Sequence, residues 1–179
     1  MKKELRLSGS GGQGLILAGI ILAEAAINYD LNAVQTQSYG PEARGGASKA
    51  EVIISKEEIN YPKVRKPDLL LCLTQKSYNE YVKDLKEDGI LIVDSSIKID
   101  YNTITGKIYS IPIIETAVKK VGRSMVANIV ALGAIGEVLG IIPFEQLKAA
   151  VINRVPEGTE DLNTLALEQG AVLIREYME

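Results

Sequence analysis

The chain has 179 residues, of which 46% are apolar and 24% are charged, as is usual for a globular protein with a substantial core. Its net charge of -3 gives no general attraction to nucleic acid or to an anionic membrane surface, so neither is expected as a partner. The single cysteine, Cys72, excludes an intramolecular disulfide and any multi-cysteine iron–sulfur site within the chain, and the absence of histidine excludes a histidine base and a Cys/His zinc site.

The apolar segments do not predict a targeting or membrane-spanning element. The stretch from Met1 to Leu7 lacks the apolar run of a signal peptide. The longest apolar stretch, around 125–144, contains Asn128, Glu137 and several glycines, which makes it a poor membrane span. We therefore expect a cytoplasmic protein.

The first third of the chain predicts one long helix among short strands. Apolar residues crowd most of the helical surface between Leu15 and Tyr29, where Glu24 and Asn28 mark a narrow polar face. Such a helix is expected to pack against a sheet and against a further partner. The strands predicted here are Leu5–Leu7, Asn32–Tyr39 and Ala50–Ser55.

The rest of the chain alternates short apolar runs with helical patterns before it becomes helical throughout. The predicted strands are Leu69–Leu73, Ile90–Val93 and Lys107–Ile111. An amphipathic helix over Lys76–Glu87 is expected to end at Gly89 as its C′ residue. The remaining predicted helices are Ile113–Val121, Met125–Leu139, Phe144–Ile152 and Leu162–Glu176.

This alternation predicts a three-layer α/β/α, Rossmann-like fold with a mainly parallel sheet and a helical C-terminal third. No internal repeat, low-complexity tract or linker interrupts it. We therefore expect a single domain over residues 1–179.

A glycine-rich turn between the first strand and the first helix is the main candidate site. Residues 9–14 read Gly-Ser-Gly-Gly-Gln-Gly, and the glycines match the spacing of a dinucleotide-binding turn, where the backbone approaches a phosphate at a helix N-terminus. An NAD site also needs an acidic residue roughly 20 positions further on. Gln35, Gln37 and Ser38 stand there instead. A different phosphate ligand and an empty structural turn both stay open. The candidate binding residues are Gly9, Gly11, Gly12, Gln13 and Gly14.

A second glycine-rich loop, over residues 35–46, contains Arg44. We expect it to leave the sheet on the same edge as the glycine turn, because both are predicted to follow the carboxyl ends of neighbouring parallel strands. Arg44 could reach a phosphate or carboxylate bidentately, or it could pair with Glu42 or Glu51.

Other chemically capable residues have simpler structural explanations. Asp94 and Ser95 follow a strand, where they are also good turn and helix-start residues, and no histidine is present to activate Ser95. Cys72 lies in an apolar run and is expected to be an inert core thiol. Tyr78 and Tyr81 are expected to pack. No catalytic residue and no metal ligand is assigned.

With these motifs, the chain resembles the gamma subunits of 2-oxoacid:ferredoxin oxidoreductases, most closely that of the 2-oxoglutarate enzyme. The resemblance covers nearly the whole chain in order, and its most specific segment is Gly-Pro-Glu-Ala-Arg-Gly-Gly at residues 40–46. Its other segments are residues 9–14, 22–26, 37–39, 51–55, 61–62, 67–68, 93–95 and 128–133.

The resemblance implies a subunit of a complex that turns a 2-oxo acid, coenzyme A and oxidised ferredoxin into an acyl-CoA, CO2 and reduced ferredoxin. It implies alpha, beta and delta partner subunits, with thiamine diphosphate, Mg and iron–sulfur clusters held by those other chains and ferredoxin reached through the complex. It also implies coenzyme A as a ligand for the glycine turn and Arg44. The isolated chain is not expected to be active.

Several alternatives stay open at this point. The complex could act on pyruvate, a branched-chain oxo acid or indolepyruvate. A chain of another class would be an NAD(P)-binding reductase or a purely structural subunit. The apolar excess of the helices at 15–29 and 125–139 could reflect deep burial within the chain or a contact with a partner.

Overall fold

The computed structural model describes residues 1–38 and 47–178. Its strands are β1 (Lys2–Gly9), β2 (Asn32–Gln37), β3 (Ser48–Ser55), β4 (Leu69–Cys72), β5 (Ile90–Asp94) and β6 (Lys107–Ile111). Its α-helices are α1 (Leu15–Asn28), α2 (Gln75–Tyr81), α3 (Ile113–Thr116), α4 (Ala127–Leu139), α5 (Phe144–Arg154) and α6 (Glu160–Met178). Within these residues no helix is both long enough and apolar enough to cross a membrane.

The six strands form one mixed sheet in the order β2-β3-β1-β4-β5-β6. The pairings β1–β4, β4–β5 and β5–β6 are parallel, while β3 is antiparallel to both of its neighbours. Five strands therefore run in one direction and β3 runs against them, which confirms the mainly parallel sheet. The expectation that β1 and β2 are neighbours is wrong, because β3 lies between them.

Alternation along the strands divides the core between the two faces of the sheet. On one face, Leu5 and Leu7 of β1 and Leu69 and Leu71 of β4 belong to a large cluster with the helices α1, α4, α5 and α6. On the other face, a smaller cluster joins strand residues to α2 and the segment after β5; its buried members are Ala47, Leu70, Cys72, Tyr78, Tyr81, Leu91, Val93 and Ile97. The sheet thus has helices on both faces, and the helical C-terminal third is confirmed.

Most of the apolar residues in the helices predicted at 15–29 and 125–139 are buried within the chain. Residues 127–135 of α4 are all buried, because α1, α3, α5 and α6 surround this helix. In α1 the burial is incomplete: Ile16, Leu17 and Ile20 are half-buried, and Ile27 is 56% exposed. Of these two helices, α1 therefore keeps an apolar strip that could meet another molecule.

Three predicted helices differ from the structure. The helix expected to reach Glu87 ends at Tyr81, and a 3₁₀ turn follows over Val82–Asp84, where the Asp84 carboxylate accepts a hydrogen bond from the side chain of Arg6. Gly89 is therefore not a C′ residue. The helix from Ile113 becomes a π-helix over Ala117–Val121, and the segment Ser124–Val126 is 3₁₀ rather than the first turn of α4.

Candidate functional site

The glycine turn is closed by its own glutamine. The Oε1 atom of Gln13 accepts a hydrogen bond of 2.8 Å from the backbone N–H of Ser10, and the Gln13 N–H donates to the Ser10 carbonyl at 3.4 Å. A Cβ at Gly9 would lie 2.2 Å from the same Oε1 atom. Gly9 and Gln13 therefore form the inside of the turn, and Gln13 has its amide oxygen turned inward.

Gly14 caps α1 without a side chain. Its φ of 71° and ψ of 24° are left-handed, a conformation that glycine adopts without strain. A Cβ here would also lie 2.5 Å from Nδ2 of Asn128, the atom that donates a 3.0 Å hydrogen bond to the Gly14 carbonyl. The buried Asn128 thus ties the first turn of α4 to the first turn of α1. In the sequence, an asparagine among the apolar residues at the start of this helix is the available signal for this role.

The outer part of the turn is open. Ser10, Gly11 and Gly12 are exposed, and neither of these two glycines has a heavy atom within 4 Å of where its Cβ would stand. The first turn of α1 contains no acidic residue, and no side chain caps it. The positive end of the helix dipole and free N–H groups therefore face accessible space, which is an arrangement that suits an anion.

An apolar cavity adjoins this turn. Its volume is about 440 Å³, and its walls include Gly12 and Ser48 together with Ile16, Leu17 and Ile20 of α1. The half-buried isoleucines of α1 thus line a space that begins at the anion-ready backbone. This combination suits a ligand that has an anionic group and a less polar arm.

The strands that flank the second loop end and begin at the same edge of the sheet as the glycine turn, but their order differs from the one expected. Gly9 at the end of β1 pairs with Ser48 at the start of β3, and Gln37 at the end of β2 pairs with Ala50. The loop therefore connects β2 to an antiparallel strand beside the turn. Arg44 and Glu42 lie outside the described residues. Glu51 accepts a 2.8 Å hydrogen bond from Nε of Arg6 and lies 3.5 Å from Lys49, so it already has two cationic partners.

The remaining candidates have structural roles in the described part of the chain. The Asp94 carboxylate accepts hydrogen bonds from the N–H groups of Ile114 and Ser96, so it fixes the start of α3. Burial raises the pKa of the Cys72 thiol to about 12, because the thiolate would lose its hydration. The Tyr78 hydroxyl accepts from the N–H of Asp100, and the Tyr81 hydroxyl donates to the Ala47 carbonyl.

No group of three metal-ligating side chains occurs within residues 1–38 and 47–178. The turn itself contains no titratable side chain. What it offers is backbone N–H donors and the helix dipole, which can position a ligand but cannot transfer a proton or form a covalent intermediate.

Three known proteins can be compared with this chain over nearly its full length. The 2-oxoglutarate synthase subunit KorC of Methanocaldococcus jannaschii is 49% identical, over 98% of this chain and 96% of that protein. The keto/oxoacid ferredoxin oxidoreductase gamma subunit of Geobacter sulfurreducens has a crystal structure that superposes with a TM-score of 0.85 at 48% identity, covering 97% of this chain and 99% of that one. The pyruvate oxidoreductase subunit PORC of Thermotoga maritima superposes with a TM-score of 0.81 at 28% identity, with 96% of each chain covered.

The family description "Pyruvate ferredoxin/flavodoxin oxidoreductase" matches residues 4–173. This span includes the glycine turn, all but the first residues of the sheet and most of α6. The resemblance found in the sequence is thereby confirmed, and the chain belongs to the pyruvate ferredoxin/flavodoxin oxidoreductase family.

Proposed function

We propose that this chain is the gamma subunit of a 2-oxoglutarate:ferredoxin oxidoreductase. The choice of 2-oxoglutarate as the substrate is supported by the difference in sequence identity. This chain is 49% identical to a subunit named for 2-oxoglutarate and 28% identical to one named for pyruvate, with both compared over nearly the whole chain. The proposed reaction converts 2-oxoglutarate, coenzyme A and oxidised ferredoxin into succinyl-CoA, CO2 and reduced ferredoxin. The proposal includes a cytoplasmic location.

The redox and decarboxylation chemistry is assigned to other chains. A family member of this kind implies thiamine diphosphate, Mg and iron–sulfur clusters, but the residues present here do not fit them. The chain has one cysteine and no histidine, and the thiol of Cys72 is held neutral by burial. We therefore derive no step through these groups and propose alpha, beta and delta partner subunits, with ferredoxin as the external acceptor.

The role proposed for this chain is to hold coenzyme A. The exposed N–H groups at Gly11 and Gly12 and the start of α1 would face its phosphates, and Arg44 would add a cation from the neighbouring loop. The apolar walls formed by Ile16 and Ile20 would accommodate the less polar part of the molecule. The observation that supports this role is the uncapped, acid-free helix start that opens into a cavity large enough for part of such a ligand.

A charge placed at Gly11 tests this role in the assembled complex. Gly11 has a negative φ and no heavy atom within 4 Å of its Cβ position, so Gly11→Asp is expected to fold normally. Gly11→Asn has the same shape without the charge and serves as the matched control. We expect the KM for coenzyme A to rise about tenfold more in Gly11→Asp than in Gly11→Asn, because a like charge near a phosphate costs on the order of 1–2 kcal/mol at a surface.

The step that needs no coenzyme A provides the second readout. Reduction of the complex by 2-oxoglutarate alone should be the same in both variants, which shows that assembly is intact. Arg44→Ala should also raise the KM for coenzyme A. Equal KM values in all three variants and the unaltered complex would show that the turn is purely structural.

The assignment of the complex itself has separate tests. Copurification from the native host should recover thiamine-binding and cluster-binding chains together with this one, and the purified complex should prefer 2-oxoglutarate over pyruvate and branched-chain oxo acids. Substantial thiamine-dependent turnover by the isolated chain would contradict the assignment of chemistry to its partners.

A further inference from the structure

A second cavity lies on the opposite side of β3 from the glycine turn. It has a volume of about 420 Å³, and its walls are the ends of β2 and β3 and the segment 61–65. Successive strand residues point to opposite faces, so Ser48 lines the cavity beside α1 whereas Lys49 lines this one. The two cavities are therefore separate spaces on the two faces of one sheet edge.

A buried arginine fixes the wall of this second cavity. The Arg6 side chain is 4% exposed; its Nε atom donates to Glu51 at 2.8 Å, and a terminal nitrogen donates to the Asp84 carboxylate at 2.6 Å. The other terminal nitrogen donates to the Val64 carbonyl at 3.1 Å. Val64 is itself buried, so the segment that carries Lys63 and Arg65 is held against the sheet from beneath.

Among the residues that the structure describes, positive side chains around this cavity outnumber negative ones. Glu51 and Asp84 are neutralised by Arg6 and Lys49, with Lys49 3.5 Å from Glu51. An adjacent cavity is lined by Glu4 together with Lys63 and Arg65. Glu4 forms an ion pair with Lys2 at 2.7 Å. Within the described residues Lys63 has no ion pair, and Arg65 stacks on the Tyr61 ring with its guanidinium 5.3 Å from the centroid. The Tyr61 hydroxyl accepts a 3.3 Å hydrogen bond from Arg65 and can still donate one. Two exposed cations and this O–H donor are therefore available to a ligand.

We propose that this cavity binds a phosphate-bearing small molecule. Two unpaired cations that meet Lys49 in one cavity favour a ligand with more than one negative charge, and a phosphate monoester carries between one and two charges at neutral pH. The volume exceeds that of a bare phosphate and falls within the usual range for small-molecule sites. The site does not depend on the coenzyme A proposal, because none of its residues belongs to the glycine turn.

Calorimetric titration of the full chain with inorganic pyrophosphate at low ionic strength tests the site. Lys63→Gln and Arg65→Gln each remove one exposed cation and leave the buried Arg6 cluster untouched. We expect each to raise the Kd about tenfold, the effect of losing one charge-assisted hydrogen bond. Lys66→Gln is the matched control, since Lys66 is exposed, close in sequence and outside both cavity linings.

Three results would overturn the proposal. The first is that the unaltered chain does not bind pyrophosphate. The second is that Lys66→Gln weakens binding as much as Lys63→Gln, which would indicate diffuse surface charge. The third is that Gly11→Asp abolishes binding while Lys63→Gln and Arg65→Gln leave it unchanged, which would place the phosphate site at the glycine turn. Loss in the Lys63 and Arg65 variants with binding retained in Gly11→Asp supports the proposal whether or not the turn binds coenzyme A.

Discussion

Replacing Gly170 with alanine should push apart the helices α4 and α6, which pack closely against each other. In α6, a Cβ at Gly170 would lie 1.9 Å from the Val130 carbonyl oxygen of α4, and in the reverse direction a Cβ at Gly133 would lie 2.1 Å from the Leu167 carbonyl oxygen. Both obstacles are backbone atoms of buried helices, so no side-chain rotation can relieve them. The helix axes must move apart by roughly 1.5 Å before the new methyl group reaches ordinary contact distance.

The size of the effect follows from two opposing terms. A gap of even 0.5–1 Å removes about a quarter to a half of the dispersion attraction between facing atoms, and overpacking a core typically costs about 1–3 kcal/mol, sometimes more. Alanine in place of glycine in a helix returns about 1 kcal/mol. Because the obstacle is backbone, we expect the high end of the cost and a net loss of about 2 kcal/mol for Gly170→Ala. For a chain of this length, this corresponds to a fall in Tm of roughly 4–8 °C.

Gly136→Ala provides the matched control in α4, on the side that faces α5. Its Cβ would meet only the Cδ2 atom of Leu147, at 2.7 Å, and the end of a leucine side chain can turn away. We expect Gly136→Ala to change the free energy of unfolding by less than about 1 kcal/mol. Urea unfolding followed by circular dichroism measures both variants. Equal stabilities for Gly170→Ala and Gly136→Ala would refute the inference that backbone contact sets the α4–α6 distance.

Three further predictions concern the buried polar groups. Arg6→Met should lower the free energy of unfolding by about 3 kcal/mol, the low end for breaking a buried ion pair, because Glu51 keeps Lys49 at 3.5 Å and the Asp84 carboxylate is 36% exposed. Chemical denaturation measures the loss. Asn128→Ala should lower the free energy of unfolding by only about 1 kcal/mol, because the Gly14 carbonyl keeps its hydrogen bond from the Ala18 N–H. The same change should raise the KM of the complex for coenzyme A, because the turn loses its tie to α4. Since burial raises the pKa of Cys72 to about 12, its thiol should resist alkylation at pH 8 until the chain unfolds. The free energy of unfolding should fall as the pH rises from the pKa of the thiol in the unfolded chain towards about 12, because only the unfolded chain can ionise it there. Cys72→Ala should remove this dependence on pH.

The order of strands and helices could be predicted because each pattern is local. Short apolar runs between polar residues gave all six strands, and the continuous apolar surface of residues 127–135 gave a buried helix. The ends of helices were less predictable. Nothing near Tyr81 indicates that α2 stops there, because the Asp84 carboxylate that holds the following turn is bonded to Arg6, 78 residues earlier in the chain.

The second cavity was missed for a related reason. In sequence, Arg6 is one polar residue between two leucines of an alternating strand, and Lys63 and Arg65 belong to an ordinary polar segment. Their proximity depends on β3 lying next to β1, which places Glu51 beside Arg6. Two arrangements give the same strand pattern along the chain: an antiparallel β2–β3 pair whose second strand lies beside β1, and a parallel crossover that puts β2 beside β1. The periodicity of the sequence therefore could not show which strand pairs with β1.

The position of β3 also explains why the glycine turn lacks an acidic partner. In an all-parallel dinucleotide fold, the second strand lies next to the first, and its last residue reaches the ribose. Here the strand beside β1 is antiparallel, so the residue next to Gly9 is Ser48, the first of β3. Gln37 ends a strand two positions away, about 10 Å across the sheet at the usual strand spacing, where even a carboxylate would be poorly placed. The topology thus keeps the phosphate-binding half of such a site and removes the ribose-binding half. In parallel titrations, the chain should therefore bind NADH no more tightly than it binds inorganic pyrophosphate.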